Sequence, residues 1–170
     1  MLNLAGIVQD SIVDGPGLRT TIFCQGCPRR CPGCHNPETW AFGQGTDITA
    51  EDVLDLVRSN PLCRGVTLSG GEPFCQAEEL APLSRRLKAL GYNLASYTGY
   101  TFEELLHGTP AQRDLLGTLD VLIDGPFVQE EKSLELNFRG SRNQRVLNVP
   151  DSLRAGRAVE ETSLRWLGEY

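Results

Sequence analysis

The feature that most limits how this chain can fold is an alternation: short β-like runs separated by stretches of helical periodicity. Runs rich in β-branched and apolar residues fall at 19–24, 65–68, 92–97, 119–123 and, less sharply, 145–149. Between them, Thr49 precedes Val53, Leu56 and Val57, with Asp52 three residues on in a capping arrangement. Leu80, Leu83, Leu87 and Leu90 recur at helical spacing before Gly91. Thr101 and Glu104 repeat the capping pattern, and residues 110–116 read as a further short helix. Strands alternating with helices imply βαβ units and a mostly parallel sheet. A complete eight-stranded barrel takes about 250 residues, whereas this chain has 170. The expected fold is therefore α/β, a partial (shortened, open) βα barrel. One domain is expected over 1–170, with its core at about 4–149 and a tail over 150–170 in which Leu164, Trp166 and Leu167 suggest a short helix.

In parallel sheets the working loops follow the carboxyl ends of the strands. By that rule four distinctive segments share one rim: the cysteine loop 26–36, then 69–73, 98–100 and 124–127. The first holds Cys27, Cys31 and Cys34 in the spacing C-x3-C-x2-C. Three thiolates this close in sequence can converge on one inorganic centre. An iron–sulfur cluster held by only three of them keeps one iron open to a non-protein ligand. Two other readings stand beside it. Cys24 or His35 would complete a four-ligand zinc site, and Cys24 would equally complete a closed electron-transfer cluster. Structural zinc sites usually divide their ligands into two separated pairs. Cys24 ends a strand, where its side chain is expected to point into the core and not to ligate.

Composition narrows the class. A net charge of −6 speaks against a nucleic-acid surface. No apolar run approaches the roughly 20 residues of a membrane span, and the first ten residues lack the charged and apolar regions of a secretory signal. Six cysteines, three of them clustered, do not suggest a disulfide framework. A soluble cytoplasmic protein is expected.

Taken together, the motifs resemble the glycyl-radical activating enzymes of the radical S-adenosylmethionine (SAM) superfamily, and among these the activators of anaerobic ribonucleoside-triphosphate reductase. The matching segments are 14–19 (Asp-Gly-Pro-Gly-Leu-Arg), 27–36 followed by Trp40, 69–74 (Ser-Gly-Gly-Glu-Pro-Phe), 97–105, 120–127 and 138–145. They run in order from about residue 4 to about 149. Gly33 stands where many superfamily members carry an aromatic residue before the third cysteine, and the reductase activators resemble this chain there.

The resemblance implies that Cys27, Cys31 and Cys34 hold a [4Fe–4S] cluster whose open iron is chelated by SAM. It implies SAM contacts from Gly33, Cys34, His35, Gly70, Gly71 and Glu72, the two glycines allowing close approach and their peptide groups, with Glu72, orienting the ammonium. The expected reaction is reductive cleavage of SAM, with the 5′-deoxyadenosyl radical taking hydrogen from a glycine Cα. The implied target is the large subunit of the anaerobic reductase, and a flavodoxin or ferredoxin is the implied electron donor. No side chain is expected to act as acid, base or nucleophile, because the cofactor carries the chemistry. Cys24, Cys63 and Cys75 lie outside the cluster pattern. On the residues alone, 70–73 also reads as a strand-end turn and His35 as a loop residue. Asp124 reads as either a turn former or a rim carboxylate for SAM or a cation. Arg29 and Arg30 read as a solvated pair, a dock for an acidic partner surface or charges that tune the cluster, and 140–145 as a polar turn. A target of the pyruvate formate-lyase type and a non-catalytic metal module stay open at this point.

Overall fold

The computed structural model describes residues 1–168. Seven strands form one sheet: β1 (Leu2–Ser11), β2 (Arg19–Cys24), β3 (Thr46–Ile48), β4 (Gly65–Gly70), β5 (Asn93–Tyr97), β6 (Val121–Asp124) and β7 (Arg145–Asn148), in the order β3-β1-β2-β4-β5-β6-β7. The sheet is open, as expected for a chain too short to close a barrel. The four central strands β2, β4, β5 and β6 run parallel. The pairings of β1 with β2 and β3, and of β6 with β7, are antiparallel. Parallelism is thus confined to the centre, where helical crossovers supply it.

The crossovers are α1 (Ala50–Ser59), α2 (Ala77–Ala89), and α3 (Phe102–Leu106) with α4 (Pro110–Thr118); α5 (Val149–Ala155) and α6 (Leu164–Leu167) follow β7. Their starts are set by side-chain oxygens that take up free amide N–H groups. Thr49 Oγ1 accepts from Asp52 N at 3.1 Å, and Thr101 with Glu104 forms a reciprocal capping box. Gly91, at φ +94°, ends the α2 turn as the sequence suggests. Two periodicity readings need correction: Leu56 is exposed, with Leu54 taking the buried place beside Val53 and Val57, and Leu90 is exposed just past the end of α2.

Side-chain alternation divides the sheet into two faces. Ile22 and Cys24 of β2, Leu122 of β6 and the apolar sides of α1, α2 and α4 share the main core. Val121 and Ile123 face the other way, toward a small cluster with Ala95 and Trp166. Arg19 is 1% exposed and crosses beneath this second face. It donates from Nε to Thr67 Oγ1 at 2.8 Å and from its other nitrogens to the carbonyls of Pro16, Val66 and Asn93. Trp166 covers it, with the guanidinium carbon 5.6 Å from the indole centroid. Burial brings the Arg19 pKa down to about 10. Among the described residues, no helix is long and apolar enough to cross a membrane.

Candidate metal centre and cofactor cavity

The loops after β2, β4, β5 and β6 enclose a cavity of about 480 Å³ at the carboxyl end of the parallel strands, within the size range of small-molecule sites. Cys27, Cys31 and Cys34 all line it, together with His35, Gly70, Gly71 and Glu72. Gly33 lies on the same loop at φ +76°; a Cβ there would come within 3.0 Å of Gln129 and 3.2 Å of Phe127. The ring of His35 packs on Phe127 with centroids 5.2 Å apart.

The cysteine loop is tied at its base. Gly26 N and Cys27 N donate to the carbonyls of Thr39 and Trp40 at 2.7 and 3.1 Å. The intervening chain turns back through a short 3-10 helix over Pro37–Thr39. Within the loop, Cys34 N donates to Cys31 O at 3.1 Å and Asn36 N donates to the Cys34 sulfur at 3.4 Å. Burial raises the Cys27 thiol above its ordinary pKa, with backbone hydrogen bonds from Arg29 and Arg30 acting against it. Cys24 sits elsewhere: it is fully buried in the main core and its thiol is pushed strongly upward by desolvation. The alternation that turns Phe23 into the cavity sends Cys24 to the helix side.

The Gly-Gly-Glu turn has a structural task that its sequence did not reveal. Gly71 N donates to Cys24 O at 2.7 Å and Glu72 N to Gly26 O at 2.8 Å, so both peptide N–H groups are committed to the stem of the cysteine loop. Gly70, at φ +88°, lies so close to β2 that a Cβ would stand 2.6 Å from Cys24 N and 2.7 Å from Cys24 O. The Glu72 carboxylate is 1% exposed. It accepts from Phe74 N, Thr98 Oγ1 and Gly99 N at 2.7 to 3.0 Å. Burial raises its pKa even so, the bonds from Gly99, Phe74 and Thr98 opposing the shift. It therefore clips the loop after β4 to the loop after β5.

Asp124 does not line the cavity. It is buried, receives Arg145 Nε and Nη2 at 3.0 and 2.6 Å, and accepts from Phe102 N at 2.7 Å, where it caps α3. Its role is structural, though as a buried ion-pair partner and helix cap and not as a turn former. The 140–145 segment is a clamp on the loop after β6: Gln144 Nε2 donates to Gly125 O at 3.1 Å and Asn143 Nδ2 to Pro126 O at 2.7 Å. Asp14, Arg29 and Trp40 are among the other residues that line the cavity. Asp14 accepts from Ser11 and Thr21 hydroxyls at 3.0 Å, and Arg29 and Trp40 flank the cysteines.

Among the described residues, no three His, Cys, Asp or Glu side chains close on a point small enough for a single metal ion. Cys27, Cys31 and Cys34 lie on one loop that lines a single cavity, where each can supply a thiolate to one iron–sulfur cluster. The donor set, all sulfur, fits iron–sulfur chemistry as well.

Comparison with known proteins bears on this arrangement. A family described as "4Fe-4S single cluster domain" matches residues 13–147. The chain is 38% identical over 143 residues to the anaerobic ribonucleoside-triphosphate reductase-activating protein of Escherichia coli (strain K12), covering 79% of this chain and 91% of that one. It is 39% identical over 141 residues to the protein of that name from Vibrio cholerae, covering 78% and 89%. It belongs to the radical SAM glycyl-radical activating enzymes. The family extends beyond one target: the pyruvate formate-lyase-activating enzyme of Clostridium pasteurianum is 44% identical over 140 residues, covering 77% of this chain but 55% of that enzyme. Radical SAM activases are oxidoreductases, and the cysteine-lined cavity lies inside the matched region.

Proposed function

We propose that this chain activates anaerobic ribonucleoside-triphosphate reductase, with Cys27, Cys31 and Cys34 holding a [4Fe–4S] cluster and SAM occupying the rest of the cavity. The observation that carries the reading is the convergence of these cysteines and the loops after β4, β5 and β6 on one cavity of about 480 Å³. When bound, the cluster and SAM together supply one-electron cleavage of the sulfonium and hydrogen removal from a glycine Cα. The protein's part is placement. The open sheet, read as the partial barrel of this superfamily, presents the loops on one rim. Gly71 and Glu72 fix the cysteine loop against β4, Glu72 joins that turn to 98–99, and the 140–145 clamp holds the loop after β6 as a wall. Gly33, Cys34, His35, Gly70, Gly71 and Glu72 border the SAM volume, and a low-potential flavodoxin or ferredoxin supplies the electron.

The near-complete coverage of the reductase activators favours that target over the pyruvate formate-lyase type. Burial of Cys24 in the main core disfavours a four-cysteine module. Cys24→Ala is accordingly expected to keep the full iron content. The decisive experiment is an electron paramagnetic resonance spectrum of the anaerobically reconstituted protein with SAM, a strong reductant and the reductase large subunit. A glycyl-radical doublet that needs SAM is the expected result. SAM cleavage to 5′-deoxyadenosine without the doublet would move the target elsewhere, and neither signal at full iron content would end the catalytic reading.

A further inference from the structure

Among the described residues, three buried side-chain polar atoms have no hydrogen-bond partner: Arg29 Nε, Trp40 Nε1 and Asn93 Oδ1. Asn93 begins β5, at the end of the sheet away from the cysteines. Arg29 and Trp40 both line the cysteine cavity. Their nitrogens are N–H donors on side chains with no acceptor capacity. A buried donor without an acceptor costs about 1–3 kcal/mol. Two in one cavity make sense if whatever fills it presents acceptors to both.

Each donor is held where it is by its neighbours. The Arg29 guanidinium lies 4.7 Å from the Tyr100 ring centroid, and its Nη2 is 3.5 Å from Glu104 Oε2. Its stem rests on Gly99, where a Cβ would overlap Cδ. Trp40 is set by the return of the chain onto the loop base, its carbonyl receiving Cys27 N at 3.1 Å. The loop already uses one N–H···S bond, from Asn36 N to the Cys34 sulfur at 3.4 Å.

We infer that Arg29 Nε–H and Trp40 Nε1–H donate to the sulfur atoms of the cluster held by Cys27, Cys31 and Cys34, and that these two bonds raise its affinity for an electron. The inference rests on the reading given under Proposed function. Hydrogen bonds to sulfur and a nearby positive charge favour the more negative, reduced cluster.

The test uses the full chain, reconstituted anaerobically with iron and sulfide and titrated redox-wise without SAM. Trp40→Phe removes the indole N–H and keeps a ring; Arg29→Met removes the donor and keeps the stem. Each variant is expected to retain its iron and to show a several-fold smaller reduced fraction at a fixed solution potential, a tenfold drop being roughly 59 mV for one electron. Unchanged potentials in both variants overturn the inference, as does weakened SAM binding at unchanged potential, which would assign the donors to SAM. If a variant fails to load iron, wild-type protein carrying heavy-nitrogen indole decides. A nitrogen hyperfine coupling to the reduced cluster that survives Trp166→Phe is expected, and its absence overturns the inference. A wild-type chain that assembles no four-iron cluster would instead remove the Proposed function, a failure that reads differently from a cluster of unchanged potential.

Discussion

At the scale of single residues, backbone contact governs more of the site than side-chain chemistry does. Gly71 is required because a Cβ would overlap the Gly26 carbonyl, to whose loop its own N–H is bonded. Gly71→Ala is expected to cost about 1–3 kcal/mol by overpacking and to lower iron per chain on reconstitution, since it displaces the loop stem. Asp124 illustrates the opposite case, a buried charge held by the Arg145 guanidinium as well as by Phe102 N. Arg145→Met leaves that carboxylate unpaired, and a loss of about 3–5 kcal/mol is expected in urea unfolding, largely restored by adding Asp124→Asn. Arg145 also pairs with Glu103, at 2.8 Å. Its hydrogen bond holds the Glu103 carboxyl below its ordinary 4.5. A depressed folded-state pKa means the pair's contribution is complete above 4.5 and lost as the pH falls through the lowered value. Glu103 is exposed, so Glu103→Gln is expected to remove less than about 1 kcal/mol at neutral pH and nothing at strongly acid pH.

At the scale of elements, how much could be read depended on whether an element has a period. β2, β4, β5, β6 and β7 stand close to the apolar runs that announce them, and α1 to α4 follow their caps. β1 was not legible. Its burial alternates only from Leu2 to Leu4, after which residues 5–10 are exposed or half-buried, and two register irregularities interrupt its pairing with β2. β3 is three residues long on the sheet edge, too short for any period to show. The site divides in the same way. The cysteines and the Gly-Gly-Glu turn were visible as local spacings. The roles of Arg29, Trp40 and Asp124 depend on contacts such as Arg29 to Glu104 and Asp124 to Arg145, which span 75 and 21 residues. Nothing in the local sequence encodes those meetings. The short helix α3 depends on its start, where Thr101 Oγ1 receives Glu104 N and Asp124 receives Phe102 N. Thr101→Ala is expected to reduce stability by about 1 kcal/mol in chemical denaturation without changing iron content.

At the scale of the whole molecule, the core and the metal-binding loop are built separately. The main core joins β1, β2 and the sheet centre to α1, α2 and α4, and none of Cys27, Cys31 and Cys34 belongs to it. Removing iron with a chelator is therefore expected to leave far-ultraviolet circular dichroism nearly unchanged, while protease cleavage within 27–36 becomes faster. A global loss of ellipticity on chelation would contradict that separation.

The two tryptophans of the chain stand in quite different surroundings. Trp40 borders the cavity, beside the cysteines. Trp166 is 5% exposed and lies against Arg19 and Phe138, its ring centroid 5.3 Å from that of Phe138. Light emission from the first will be quenched when the cavity fills, and emission from the second will shift to the red only when the packing around Arg19 comes apart. With Trp166→Phe and Trp40→Phe proteins side by side, one fluorimeter can follow occupancy and unfolding as separate signals, with no label attached.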